Sequence, residues 1–260
     1  MSRLLFLVFG IIAYGHPCFA DADWTRLVVR VSTNEQAKAT SLLKEELYDL
    51  QYDAQLKLSD VLIKNPESES AIMESLENPK IEQHYLTDGT IEYDYQIPLT
   101  GSIIRETMPA ARPVQLMVPM LCPTCGQPWP HDKSLPEGLT LIPKDNEFSD
   151  FTGIIIDCRG FVLRPCMFPK ILNEKLGEVY SSNFTDPQFL VLRGLVAYYD
   201  DEAQAELRIG KNPMIIKATG VTGKVPTDIK ISSRDAQGIH SSQNNLNLLR
   251  ECRVAIIFGQ

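Results

Sequence analysis

The sequence predicts an α+β protein: an N-terminal helix plus antiparallel hairpin unit, followed by a mixed α/β sheet unit. Three patterns carry that expectation. An apolar stripe at helical spacing runs from about Asn34 to Ile63. A stretch of strict two-residue alternation follows at Ile91–Ile97. The last hundred residues alternate short aliphatic runs with polar helical segments.

The elements of the first unit, 23–108, follow in order. "TRLVVRVS" (25–32) reads as a short strand. Leu43, Leu47, Leu50, Ala54, Leu58 and Val61 then recur every three or four residues, which predicts one helix over 34–63. Thr33 or Asn34 is placed to cap its start, and Asn65-Pro66 to end it. "ESESAIMESLE" predicts a second, shorter helix, stopped by Asn78-Pro79. In "KIEQHYLTDGTIEYDYQIPL", Ile91, Tyr93, Tyr95 and Ile97 alternate with polar residues, and Asp88-Gly89 is a favoured hairpin turn.

Residues 109–148 hold eight of the seventeen prolines, so they read as an inserted loop. Beyond it, in 149–260, strands are expected at 152–158, 161–164, 189–198, 214–219, 228–231 and 253–258. "DDEAQAEL" predicts a helix capped by Asp200 or Asp201, and "SSRDAQGIHSSQNNLNLLRE" a longer one capped by Ser232. The strand–helix–strand order around that longer helix suits a right-handed parallel crossover from "TDIKI" to "RVAIIF".

Composition narrows the function. Hydrophobic residues make up 44% of 260, enough to bury a core without disulfides. The net charge is −8 and there is no basic block, which argues against nucleic acid and against docking on anionic lipid. Residues 1–22 read as a secretory signal: Arg3, an apolar run from Leu4 to Gly15, then small residues at Cys18, Ala20 and Ala22. Cleavage after Ala20 or Ala22 fits, and the run is too short to span a bilayer. The expected place is the periplasm or the inner face of the outer membrane. Membrane contact would be peripheral, or through lipid on Cys18, although Pro17 and Gly15 give that cysteine a poor acylation context. Loss of Cys18 leaves an odd five: Cys122, Cys125, Cys158, Cys166 and Cys252.

Chemical motifs are sparse. Cys122 and Cys125 form a CxxC in "CPTCGQPWPH". A redox site would set such a pair at a helix N-terminus after a strand, and prolines surround this one. Zinc would need two more ligands, from His131 or from Cys158 and Cys166. A local disulfide between Cys122 and Cys125 is the favoured reading. The run "IIIDCRG" places Asp157 and Arg159 on one strand face, able to pair, and Cys158 on the other with Ile154 and Ile156. That makes Cys158 a core residue. His84 reads as a strand-face residue and His240 as a helix-surface residue. "NFT" at Asn183 is a three-residue glycan-acceptor pattern. Phosphate-binding glycine loops and the G-x-S-x-G elbow are absent, and no cofactor is implied.

One stretch resembles a known family. "TGIIIDCRGFVLRPCMFPKILNEKLGEVY" is similar to the twenty-kilodalton outer-membrane lipoproteins, which include the FlgP-like flagellar basal-disk type. It carries Thr152, Gly153, Asp157, Arg159, Gly160, Pro165, Pro169, Gly177 and Tyr180, with Cys158 and Cys166 at positions typically held by alanine. "RIGKNPMIIKATG", the segment from Asp228 to Phe258, and the N-terminal helix and hairpin look like the same type. The resemblance excludes the proline-rich insert. It implies a structural, non-enzymatic envelope protein that associates with itself and with flagellar basal-body partners. Tyr93, Tyr95 and the insert are candidate contact surfaces, with ordinary core the stronger reading for the two tyrosines. The alternatives are a periplasmic thiol-disulfide oxidoreductase or a zinc-binding module using the CPTC loop.

Overall fold

A computed structural model describes residues 19–87, 89–130, 133–144 and 149–259. Most of the expected leader, including Cys18, lies outside the described residues, as do Asp88 and His131. In chain order the elements are β1 (Phe19–Asp23), β2 (Val28–Thr33), α1 (Gln36–Asp49), α2 (Leu58–Leu62), α3 (Pro66–Leu76), β3 (Lys80–Tyr85), β4 (Ile91–Pro98) and α4 (Ser102–Thr107). The insert contributes β5 (Met120–Leu121) and β6 (Ile142–Pro143). Then come β7 (Gly153–Asp157), β8 (Ile171–Leu172), β9 (Glu178–Tyr180), a 3-10 turn (Ser182–Phe184), α5 (Pro187–Arg193), β10 (Ala197–Tyr199) and α6 (Glu202–Ile209). The chain closes with β11 (Pro213–Lys217), β12 (Gly220–Thr222), β13 (Asp228–Lys230), α7 (Ser233–His240), α8 (Gln243–Arg250) and β14 (Val254–Ile257). The fold is mixed α+β, as the patterns predict. Among the described residues no helix is long and apolar enough to cross a membrane.

Four strands of the first unit form an antiparallel sheet in the order β1-β2-β4-β3. Val29, Val31, Tyr95 and Ile97 bury one face of it in the core cluster that includes Leu43 and Leu47 of α1. The expected signal boundary falls inside β1: cleavage after Ala20 would leave Asp21–Asp23 on β2. The second unit holds a wholly parallel sheet, β10-β14-β7-β11, and a mixed one, β12-β13-β8-β9. Every residue of β7 is buried, as a central parallel strand covered on both faces requires. Gly153 opens it because helix α6 crosses there: a Cβ would lie 2.4 Å from Cβ of Ile209.

Several elements differ from their sequence expectation. The helix over 34–63 breaks after Asp49. Asp53 Oδ1 accepts from the N–H groups of Gln55 and Leu56, closing a local turn that outcompetes helix. Thr33 accepts from Glu35 rather than capping the helix, and Pro66 starts α3 instead of merely ending what precedes it. Residues 161–164 form no strand; Phe161 N–H closes a turn onto the Cys158 carbonyl. The first half of 189–198 belongs to α5, capped by Asp186 and ended by Gly194 at φ 70°, and strand begins only at Ala197. The helix after Ser232 is two helices, the second capped by Ser242. The expected crossover fails because β13 and β14 sit in different sheets: β14 inserts between β10 and β7.

The two units share one hydrophobic core running from Leu27 to Ile257. The loop created by the break in α1 is where they join. Met167 and Phe168 donate to the carbonyls of Gln51 and Tyr52, and Val225 donates to that of Ala54. The rings of Tyr52 and Phe168 pack 4.9 Å apart. At the far side Arg208 of α6 donates to the carbonyls of Arg193, Gly194 and Val254, covering the C-terminal end of α5.

Candidate functional site

The motif segment from Asp157 to Pro169 starts at the carboxyl end of the parallel sheet, where α/β proteins commonly place ligands. Asp157, Cys158 and Cys166 are buried in the fold, while Arg159 and Arg164 are exposed. Arg159 forks onto Asp157, with Nε 2.9 Å from Oδ1 and Nη2 2.8 Å from Oδ2, and the Arg159 N–H adds a third bond at 3.0 Å. These bonds hold the Asp157 carboxyl below its ordinary pKa. Nη2 also lies 3.4 Å from Oε1 of Glu202 on α6. Gly160 sits at φ 91°, a left-handed position that the turn after the strand requires. Pro165 is half-buried and Pro169 buried. Between them the Tyr198 hydroxyl accepts from Cys166 N–H and donates to Cys166 O, both at 3.0 Å.

Cys158, Cys166 and Cys252 are buried free thiols. Burial pushes Cys158 and Cys166 up to about 12 and Cys252 up to about 11. A nucleophile needs the thiolate, and these sites suppress it. Cys252 adopts φ 55° and stands near Tyr180 and Arg208, inside the core.

Cys122 and Cys125 occupy the tip of a small hairpin on the insert. Cys122 N–H donates to Gln127 O, Gly126 N–H donates back to Cys122 O, and Trp129 N–H donates to Met120 O. Both cysteines are free thiols here, Cys125 exposed and Cys122 partly so. Main-chain N–H groups of Cys125, then Thr124, lower the Cys122 thiol below its ordinary range. Among the described residues no group of three or more His, Cys, Asp or Glu side chains is placed to hold a metal ion.

His84 lies on strand β3 as expected, and His240 departs from its expectation. His240 is fully buried, not on a helix surface. Its Nδ1 accepts from Met117 N–H at 2.9 Å and its Nε2 lies 2.8 Å from the Val179 carbonyl, which fixes the neutral Nε2–H tautomer. Burial lowers its pKa to about 4. His84 bonds Asp94 at 3.0 Å, and Ser32 bonds the other oxygen of the same carboxylate. Serine and histidine therefore both face the acid. Cross-strand register assembles this set, and no local spacing announces it. Tyr95 is core and Tyr93 half-buried. Asn183 is engaged, accepting from Arg112 N–H and donating to Glu178.

Between the insert and helix α8 runs a cleft of about 930 Å³. Val114, Leu135, Leu141 and Leu246 supply apolar wall, with Lys133 and Arg250 at its margin.

The sequence profile described as Treponema pallidum Tp0624, second domain, matches residues 153–260. The match begins at the first residue of β7, so it takes in both C-terminal sheets and leaves out the hairpin unit and the insert. No curated protein matches the chain. Residues 153–260 are thus similar to the second domain of that Treponema pallidum protein.

Proposed function

We propose that this protein is a non-enzymatic component of the cell envelope whose work is structural assembly with copies of itself. The observation that carries the reading is the use made of the motif segment. Asp157 and Arg159 pair with each other at the turn, the Cys166 main chain bonds Tyr198, and Met167 and Phe168 join Gln51 and Tyr52. The similarity of 153–260 to a second domain of a spirochaete protein fits a module that works joined to others. The motif resemblance extends the proposal to the periplasm or inner face of the outer membrane, as an accessory of the flagellar basal disk. Fractionation of cells carrying a C-terminally tagged chain tests it. The expected result is leader removal and recovery from the envelope in complexes larger than a monomer. A cytosolic chain with its leader intact would contradict it.

One observation favours a second reading, thiol-disulfide exchange at the CPTC tip. The Cys122 thiol is shifted down, unlike the buried thiols of Cys158, Cys166 and Cys252, and its partner Cys125 is exposed. Under that reading the reduced protein turns over disulfide substrates, and Cys122→Ser abolishes the turnover.

A further inference from the structure

Strand β3 ends the antiparallel sheet, and among the described residues nothing pairs with its outer edge. Leu86 N–H bonds the Thr90 carbonyl, which makes 86 and 90 a hydrogen-bonded pair. Alternation along the ladder then turns the main-chain groups of Lys80, Glu82 and His84 toward β4 and those of Ile81, Gln83 and Tyr85 outward. Ile81, Gln83 and Tyr85 stand opposite Tyr95, Tyr93 and Ile91, on the sheet face that the core covers. That cover stops short of β3: Ile81 is 45% exposed and Tyr85 77%. An apolar face and an open ladder thus lie on one strand, the arrangement that invites another strand.

We infer that this edge binds the same edge of a second copy, antiparallel, with the two-fold axis at Gln83. This rests on the self-association proposed above and names its surface. Only outward-facing residues can exchange ladder bonds, so the axis must fall on a residue and not between two. An axis on Glu82 would set two glutamates directly opposite, which is repulsive. An axis on His84 pairs Gln83 with Tyr85 and strands Ile81 beyond the overlap. The axis on Gln83 pairs Ile81 with Tyr85 of the second copy on the apolar face. On the polar face it sets Glu82 opposite His84. The two four-stranded sheets then continue as one of eight. Such an isologous contact is self-complementary and closes at two copies.

The test uses the mature chain with Cys122→Ser and Cys125→Ser, so that no exposed thiol interferes. Glu82→Cys and His84→Cys variants are made separately, mixed and oxidised. Positions 82 and 84 form a non-hydrogen-bonded cross pair, close enough for a disulfide. The mixture should give a reductant-sensitive dimer containing one chain of each variant, and neither variant alone should crosslink. A homodimer of Glu82→Cys or of His84→Cys would overturn the register. No crosslink at all would overturn the contact. Sedimentation separates the two levels of the argument. Gln83→Pro removes an outward N–H and spares the bonds to β4, so it should weaken association at least about tenfold with an unchanged circular dichroism spectrum. Association that persists in that variant sinks this interface alone. A wild-type chain that stays monomeric at every concentration sinks self-association itself.

Discussion

The imidazole of His240 accepts a hydrogen bond from the main-chain N–H of Met117, 123 residues earlier. Its other nitrogen holds the carbonyl of Val179 on β9. One buried side chain therefore ties the proline-rich insert to the second unit. Replacing it by alanine leaves the Val179 carbonyl buried without its partner and opens a void. His240→Ala should destabilise the fold by ~2–3 kcal/mol. Urea denaturation reads the loss. Limited proteolysis should cut the variant first within 109–118.

The same residue makes stability depend on pH. Its folded pKa, about 4, lies below the ordinary 6.5 of an unburied histidine. Unfolding below pH ~6.5 therefore takes up a proton that the native state refuses. This contribution is fully present above that pH, and falls away as pH drops toward about 4. The whole is on the order of 3 kcal/mol. Asp157, held down by Arg159, loses its share only in the more acidic carboxylate range. Denaturation midpoints across pH 7.5 to 3.5 should fall in the histidine window for wild type, and the slope there should be shallower in His240→Gln.

Gly153, which opens β7, and Gly160, in the turn after it, should respond differently. A Cβ at Gly153 would meet Ile209 atoms at 2.4–2.6 Å, including its backbone. Gly153→Ala should cost ~3 kcal/mol or more, because α6 must move off the sheet. At Gly160 nothing lies within 4 Å, and only the positive φ opposes a side chain. Gly160→Ala should cost ~1 kcal/mol. Thermal unfolding of both variants, beside wild type, checks the order.

Thiol labelling separates the two classes of cysteine. With the protein reduced, Cys122 and Cys125 should react rapidly with an aromatic disulfide reagent. Cys158, Cys166 and Cys252 should react only after denaturation, since burial suppresses their thiolates. Peptide mapping by mass after labelling assigns each site. Fast reaction at Cys158 would refute its place in the core.

Much of this architecture was legible wherever the signal was local. The alternation of Ile91–Ile97, the aliphatic run of β7, and the caps at Asp201 and Ser232 all follow from side chains a few residues apart. The helix break at Leu50 was also written locally, in Asp53, but the continuing stripe of Ala54 and Leu58 hid it, because Ala54 stays buried in the loop and Leu58 at the start of α2. Pro187 and Gly194 marked α5, yet the apolar richness of "FLVLRGLVAYY" read as strand. Sheet membership was not legible: β13 and β14 look like neighbours in the chain and are separated by long-range pairing. The candidate sites divide the same way. The Asp157–Arg159 pair was legible from its spacing, although it closes across the turn after β7 and not along a strand face, whereas His240 with Met117, and His84 with Asp94 and Ser32, exist only once distant segments meet. That β3 is an edge depends on what fails to pair with it, which no stretch of sequence states.

The account stands on one claim: the sulfur and ionic groups of this chain hold it together and do not turn over substrate. Insulin reduction by the mature, prereduced protein tests that most directly. The account predicts a rate no higher than dithiothreitol alone, for wild type and Cys122→Ser alike. Catalysed reduction by wild type that disappears in Cys122→Ser would contradict it.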